Sequence, residues 1–267
     1  MPQINLYIYI FTFLLGLCLG SFLNVIIYRL PLKKSLVLPP SSCPSCGKKL
    51  GVLELIPLVG FLFLKGRCRS CQAKISIQYP LVELTTGAAF AFVYYRFSLT
   101  TNTLFYFTFI YLLLAVALID LKYRIVPNQL VLAGGIIAII FHLPALLANW
   151  FSLPGYFLLT RTPLDSLYGF LLGSVIFFLI IVISKGGMGG GDLKLVAMIG
   201  LYLGFRGTAM MMLLGFVAGA LVGVYFMVSG KLTRKDALPF APFLSLAALI
   251  ELFLGEEIWH WYINLFL

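Results

Sequence analysis

Two aspartates stand out among the nine acidic residues of this 267-residue chain, because both lie at the edge of apolar stretches. Asp120 ends an apolar run that begins at Leu112, and Asp192 follows the glycine-rich segment 186–191. An ionisable side chain at membrane depth is costly and is a functional hypothesis by default. Two such carboxylates can share a proton, so that one activates water while the other polarises a peptide carbonyl. The pair predicts an aspartic hydrolase dyad.

Each aspartate also has a lysine nearby, Lys122 or Lys194, and a simple interface anchor is the alternative interpretation. The glycines favour the dyad, because five glycines in six positions form no stable helix and allow close approach to another helix. Helix polarity predicts that Asp192, at a helix N-terminus, is the base. Asp120, near a helix C-terminus, is then the protonated partner.

Four cysteines form a second group of candidate functional residues. They make two C-x-x-C pairs with 21 residues between them, a spacing typical of zinc ribbons. Gly47 follows the first pair and suits the tight turn of such a site. Disulfides or a redox pair are the alternatives, and a reducing compartment disfavours disulfides. A site filled by four thiolates is closed to substrate, so the zinc is expected to stabilise a small loop. The ligands are Cys43, Cys46, Cys68 and Cys71.

The elements that carry these residues are predicted to be membrane helices. The chain is 61% hydrophobic and 10% charged, whereas a soluble protein is roughly half apolar and about a quarter charged. A hydrocarbon layer of about 30 Å needs about 20 apolar residues of helix. Eight stretches qualify, although seven remain possible because only 204–207 separate the sixth from the seventh. They are about 5–28, 80–97, 104–121, 129–148, 165–184, 193–205, 208–228 and 239–255.

The sequence therefore predicts an all-α polytopic membrane protein. Residues 1–28 are expected to form the first transmembrane helix, 29–79 a small zinc-ribbon-like cytoplasmic loop domain, and 80–267 a helical catalytic domain with both aspartates. The long apolar run and the absence of a charge before Arg29 favour a retained first helix over a cleaved signal peptide.

Basic residues set the predicted orientation. Nine of the nineteen Lys and Arg lie in 29–79, and seven more fall on the same side of the predicted membrane. The seven are Lys122, Arg124, Lys185, Lys194, Lys231, Arg234 and Lys235. By the positive-inside rule this side is cytoplasmic and both termini lie outside. Membrane topology thus explains the net charge of +10, and no nucleic-acid partner is expected.

Several motifs resemble those of a known family. Gly189-Gly190-Gly191-Asp192 is similar to the G-x-G-D motif of membrane aspartic proteases, and the wider segment 187–194 resembles bacterial type IV prepilin peptidases. Asp120-Leu121-Lys122, followed by 125–128, resembles the other aspartate motif of that family. The segment 20–31 and the cysteine loop through 79–83 are also similar. The resemblance covers most of the chain in the right order.

The resemblance implies a bifunctional enzyme of the bacterial cytoplasmic membrane. Such enzymes cut the basic leader of type IV prepilins and type II secretion pseudopilins after a glycine, then methylate the new N-terminus with S-adenosylmethionine. It implies zinc on the four cysteines and leaves the oligomeric state open. The residues carried over are the catalytic Asp120 and Asp192, the supporting Gly189, Gly191, Lys122 and Lys194, and the possible methyltransferase or substrate contacts Asn24, Glu54 and Glu83.

This sequence departs from the family in the segment 55–60, where many members carry more polar residues and Leu55 and Gly60 stand here. Two other functions are alternatives. An intramembrane protease of the presenilin type shares G-x-G-D but has a tyrosine before its other aspartate, where Ile119 stands here. An ion-coupled transporter with a zinc-bound loop could use two aspartates, although the internal repeats common in transporters are not evident.

Overall fold

A computed structural model describes residues 5–151, 159, 161–185, 187–230 and 238–266. Lys231, Arg234 and Lys235, which were assigned to the cytoplasmic side, lie outside these ranges. The described residues form nine helices and two isolated β-bridges, in agreement with the all-helical prediction. The helices are α1 (Leu6–Arg29), α2 (Val52–Leu55), α3 (Val59–Phe63), α4 (Gln78–Phe97), α5 (Thr101–Tyr123), α6 (Asn128–Phe151), α7 (Pro163–Ile183), α8 (Gly190–Val228) and α9 (Ala241–Phe266).

Five helices in the described part of the chain are long and apolar enough to cross a membrane: α1, α5, α6, α7 and α8. The chain is therefore a multi-pass membrane protein with five candidate spans. Helices α4 and α9 coincide with the second and eighth predicted spans but are not among these five. Gly204 interrupts α8 with a non-helical backbone (φ 71°, ψ −176°), at the point where the sixth and seventh spans were predicted to separate.

Residues 1–99 form one compact unit, in which α1 packs against α4 and the cysteine loop connects them. Small residues allow the two helices to approach closely. A Cβ atom on Gly16 would lie 2.7 Å from the Gly87 Cα, and one on Gly20 would lie 2.7 Å from the Glu83 Cα. Because α4 belongs to this unit, the compact units divide between residues 99 and 100.

Residues 100–267 form the second unit, in which aromatic side chains join α5 to α8. The buried Tyr202 ring stacks on Phe105 and Phe109, with ring centroids 4.4 Å and 4.5 Å away. Its hydroxyl donates to the Gly134 carbonyl of α6 at 3.0 Å. Stacking and this hydrogen bond together fix α5, α6 and α8 against one another, and Asp120 and Asp192 lie on two of these helices.

A cluster of acidic and basic side chains stabilises the interruption of α8. The Asp165 carboxylate of α7 accepts the backbone N–H of Phe205 at 3.0 Å, directly after the non-helical Gly204. Arg161 lies 4.0 Å from Asp165 and 3.5 Å from Glu251 of α9. The Glu251 side chain is only 7% exposed, so its negative charge depends on the nearby arginine.

Candidate active site and metal centre

The two predicted catalytic aspartates come together within the second unit. Asp120 lies in the last turn of α5 and is 5% exposed. Asp192 is the third residue of α8, which Gly189 precedes in an extended conformation (φ −73°, ψ 139°). The two carboxylates are close enough to interact electrostatically. Residues 72 positions apart in sequence therefore form one acidic pair.

Contacts around the aspartates hold the start of α8 against the segment that follows α5. A Cβ atom on Gly191 would lie 3.0 Å from the Val126 Cβ, so only glycine allows this approach without a shift. One turn further along α8, the Lys194 ammonium donates to the Asn128 Oδ1 at 3.1 Å. Gly191 and Lys194 at the start of α8 thus lie against the segment that follows Asp120.

Asp120 has a further partner that the sequence analysis missed. Its Oδ2 accepts the backbone N–H of Ala241, the first residue of α9, at 3.2 Å in a buried position. The N-terminus of a helix carries partial positive charge, which favours a carboxylate. Asp192 thus lies at the N-terminus of α8, and Asp120, although it is in the last turn of α5, contacts the N-terminus of α9. The polarity argument that assigned the base to Asp192 therefore does not separate their roles. Prolines at 239 and 242 were the available signal for a helix start here.

The interface-anchor interpretation has little support in the geometry. Within the described ranges, the Lys194 ammonium forms no ion pair with Asp120 or Asp192. The Lys194 ammonium binds Asn128, and the Lys122 ammonium lies 5.4 Å from the centre of the Tyr123 ring. The arrangement favours the dyad.

The cysteine loop contains two knuckles with the same backbone pattern. The Cys43 carbonyl accepts the N–H of Gly47 at 2.9 Å, and the Cys68 carbonyl accepts the N–H of Gln72 at 3.0 Å. Each of these hydrogen bonds requires a residue with a left-handed backbone conformation at the turn. Gly47 has φ 72°, as predicted, and Gln72 has φ 56° without the freedom of a glycine. Each knuckle presents its two thiols to the other.

The four sulfur atoms fit a tetrahedral zinc ion. All four lie within 4.8 Å of one another, and the Cys43 and Cys71 sulfurs are 3.8 Å apart. Zinc–sulfur bonds of about 2.3 Å place tetrahedral ligands about 3.8 Å apart. The five cysteines of the chain are free thiols, which does not support the disulfide alternative. The cluster could hold a metal ion.

The surroundings shift the pKa values of the thiols in different directions, and the repulsion among the ionised sulfurs also favours a bound cation. The backbone N–H groups of Cys46 and Ser45 lower the pKa of Cys43 to about 6. The N–H of Ala73 acts in the same direction on Cys71, but desolvation and the neighbouring sulfurs raise the pKa of Cys71 to about 11. The four sulfurs repel one another when ionised, and a bound divalent cation offsets that repulsion.

A cavity of about 750 Å³ lies beside this cluster, within the first unit. Asn24, Glu54 and Glu83, which were singled out for methyl transfer or substrate contact, all line it. Its volume is within the roughly 300–1,000 Å³ of pockets that bind cofactor-sized ligands. The Asn24 side chain is 5% exposed, and its Oδ1 is buried without a hydrogen-bond partner. A buried acceptor without a partner in the cavity wall is suited to a polar ligand that donates a hydrogen bond.

The sequence matches the family described as Type IV leader peptidase family over residues 107–224, and the Bacterial Peptidase A24 N-terminal domain over residues 14–97. The chain belongs to the type IV leader peptidase family. It is 38% identical over 257 residues to the prepilin leader peptidase/N-methyltransferase of Bacillus subtilis, across 95% of this chain and 97% of the relative. The enzyme of that name from Pseudomonas aeruginosa is 35% identical, across 95% and 92%. No solved structure matches the chain at a significant level.

In this type IV leader peptidase, the predicted site residues fall into three groups. Asp120 and Asp192 lie together in the second unit, with Gly189, Gly191 and Lys194 at the start of α8 and Lys122 beside Asp120. The four cysteines form the thiol cluster of the first unit. Asn24, Glu54 and Glu83 share the cavity next to that cluster, and Cys43 and Cys68 contribute to the cavity wall.

Proposed function

We propose that this chain removes the basic leader from type IV prepilins and type II secretion pseudopilins and then methylates the new N-terminus. The observation that carries the proposal is the pairing of Asp120 and Asp192 at the ends of two membrane helices. The chain also aligns over 95% of its length with proteins named prepilin leader peptidase/N-methyltransferase. Cleavage follows a glycine of the substrate at the cytoplasmic face of the membrane.

The dyad hydrolyses the peptide bond by general acid and base catalysis. One carboxylate takes a proton from water, and the oxygen of that water attacks the scissile carbonyl carbon. The partner, which holds the shared proton, donates a hydrogen bond to the carbonyl oxygen and so stabilises the charge that develops there. The Ala241 N–H orients Asp120, and the contact between Gly191 and Val126 sets the position of Asp192.

Zinc is proposed to bind the four thiolates and to fold the cysteine loop. Each knuckle is short, and the loop helices α2 and α3 span only 4 and 5 residues. A loop of this size gains its stability from the metal, because few apolar side chains are buried in it. Four thiolates complete the coordination, so the ion takes no direct part in either reaction.

S-adenosylmethionine is proposed to supply the methyl group within the cavity of the first unit. Asn24, Glu54 and Glu83 are the residues that contact this methyl donor or the amine that receives the methyl group. Leu55 and Gly60, where this chain departs from many relatives, line the same cavity. A Cβ atom on Gly60 would lie 2.7 Å from the Glu54 carbonyl oxygen, so a larger residue there would displace the Glu54 backbone.

The proposed membrane arrangement has eight crossings: α1, α4, α5, α6, α7, the two parts of α8, and α9. The loop 29–79 and both aspartates then lie at the cytoplasmic face of the bacterial inner membrane, and both termini lie outside. Apolar side chains on the outer surface contact lipid, as Phe11 and Phe178 would with 63% and 59% exposure. A prepilin, which is itself an apolar helix with a basic leader, brings its cleavage site to the same face.

Mass spectrometry of a prepilin incubated with the purified enzyme tests both activities at once. The leader should be lost with or without S-adenosylmethionine, and the product should gain one methyl group only when S-adenosylmethionine is present. Asp120→Asn and Asp192→Asn should each abolish cleavage, whereas Asp165→Asn, which keeps an acceptor for the Phe205 N–H, should retain it.

Other outcomes of this assay identify the alternatives. Cleavage within the apolar segment of the prepilin, rather than at the leader, would indicate an intramembrane protease of another G-x-G-D type. Retained cleavage in either dyad variant would exclude an aspartic mechanism at this pair. The absence of any cleavage by the folded wild-type enzyme would leave the transporter alternative.

A further inference from the structure

The orientation of the Asn24 amide is fixed by two backbone carbonyls. Its Nδ2 donates to the Gly20 carbonyl at 3.3 Å and to the Tyr79 carbonyl at 3.2 Å. A flipped amide would bring its oxygen against both of these acceptors, so the nitrogen must occupy this side. The Oδ1 atom is therefore held on the opposite side, buried and without a partner, in a residue that lines the cavity. A buried acceptor of this kind calls for an N–H or O–H donor from a ligand.

Glu83 supplies a second acceptor in the same cavity. Its side chain is 8% exposed, and its Oε2 accepts the backbone N–H of Leu58 at 2.8 Å. Among the described residues, Oε1 has no hydrogen-bond donor and no lysine or arginine lies within ion-pair distance of the carboxylate. Because Glu83 lines the cavity, its carboxylate can accept a hydrogen bond from a ligand there. A cationic donor would also pair with its negative charge.

The two acceptors lie about one helical turn apart along packed helices. Glu83 lies against Gly20 of α1, one turn before Asn24, and the Asn24 amide donates to the carbonyl of Tyr79, one turn before Glu83. At about 1.5 Å per residue, four residues of helix correspond to about 6 Å. The nearest basic side chain on α1, Arg29, is occupied by the Ser35 and Pro39 carbonyls at 3.0 Å and 2.7 Å. It does not neutralise Glu83.

We propose that Asn24 Oδ1 and Glu83 Oε1 bind the N-terminal ammonium group of the cleaved pilin, and that Glu83 takes the proton that this group must lose before methylation. The proposal rests on the proposed methyltransferase function and assigns roles within its cavity. An ammonium group has three N–H donors, and two of them would be used by these two acceptors. The third N–H faces the space left for the methyl donor, and once Glu83 has taken its proton, rotation about the Cα–N bond turns the free electron pair to that position.

The step balances as an ordinary methyl transfer to nitrogen. The ammonium gives one proton to the Glu83 carboxylate, which leaves a neutral amine with a free electron pair. That pair forms the new nitrogen–carbon bond to the methyl group of a sulfonium donor, and the carbon–sulfur bond breaks with its electrons on sulfur. The products are a secondary ammonium on the pilin and a neutral thioether. Glu83 then returns its proton to water.

Equilibrium binding to the full-length enzyme tests the assignment without relying on turnover. The probes are a fluorescent peptide that begins with phenylalanine, its N-acetylated form, and S-adenosylhomocysteine. Wild type should bind the free amine about 10- to 100-fold more tightly than the acetylated peptide, because hydrogen bonds to charged groups are of that strength. Glu83→Gln keeps an acceptor for the Leu58 N–H and should reduce the preference to less than about 3-fold, while S-adenosylhomocysteine binding is retained.

Asn24→Leu should reduce the same preference, and the exposed Glu257→Gln on α9 is the matched loss of charge that should leave it intact. If Asn24→Leu fails to fold, Glu83→Gln decides alone. The proposal is overturned if wild type shows no preference for the free amine or if Glu83→Gln keeps it. It is also overturned if Glu83→Gln loses S-adenosylhomocysteine and keeps the amine preference, which would assign Glu83 to the methyl donor. Prepilin cleavage by the same samples reports separately on the dyad.

Discussion

Replacing Gly191 by alanine should slow prepilin cleavage by moving one aspartate away from the other. The new Cβ would lie 3.0 Å from the Val126 Cβ and 3.3 Å from its Cγ2, whereas ordinary contacts of this kind begin at 3.4 Å. The first turn of α8, which carries Asp192, must therefore shift by about 0.4 Å relative to the segment after α5. The Asp120 side does not move with it, because Ala241 of α9 holds that carboxylate.

The size of the effect follows from this shift. A misplacement of about 1 Å in a catalytic group can cost about 100-fold in rate, so about 0.4 Å predicts a 5- to 10-fold loss, roughly, in kcat. Gly190→Ala is the matched control, because a Cβ atom there meets nothing within 4 Å. Both variants gain the roughly 0.5–1 kcal/mol of helix stability that alanine has over glycine, so this term cancels between them.

The assay is the initial rate of leader removal at saturating prepilin, measured by mass spectrometry on full-length enzyme in detergent. Thermal unfolding of each variant provides the check that the chain is folded. Equal cleavage rates in the two folded alanine variants would refute the reasoning, since the contact between Gly191 and Val126 would then not set the spacing of the dyad. Methylation of a peptide that has already been cleaved should be the same in both.

Three further predictions concern the cysteine loop and the ion pairs. Zinc should be retained at pH 7 and lost progressively as the pH falls, because protons compete with the ion for the four thiolates, as measured by zinc content after dialysis. Gln72→Gly should stabilise the loop by about 1 kcal/mol, because Gln72 has φ 56°, and zinc affinity should rise accordingly. Arg161→Ala should destabilise the second unit by about 2 kcal/mol in thermal unfolding, since it leaves the buried Glu251 without its 3.5 Å partner. Adding Glu251→Gln to that variant should restore most of the loss.

The helices and the four-cysteine cluster were predictable because their signals are local. A stretch of about 20 apolar residues is sufficient to predict a spanning helix, and five candidate spans agree with such stretches. Two C-x-x-C pairs specify their own knuckles, and the positive φ of Gly47 followed from the turn that a knuckle needs. Gly204 was also visible as part of a short break between two apolar runs, although the local sequence gives no sign that Asp165 completes that break.

The partners of the two aspartates were less predictable because they depend on contacts between distant segments. Ala241 donates its backbone N–H, and the type of its side chain gives no sign of this role. It also lies 121 residues from Asp120. The placement of α4 with α1 depends on the approach of Gly16 and Gly20 to that helix, which apolar periodicity does not encode. The cavity itself required the structure, since Asn24 and Glu83 are 59 residues apart in sequence.

A double-mutant cycle of the cleavage rate tests the central claim that Asp120 and Asp192 act as one catalytic pair. The rates of Asp120→Asn, Asp192→Asn and the double variant are measured on the same prepilin, with folding checked by methylation of a cleaved peptide. Groups that act as a unit are strongly non-additive, so each single variant should lose about as much activity as the double variant. Substantial cleavage in either single variant, or losses that simply multiply in the double variant, would contradict the claim.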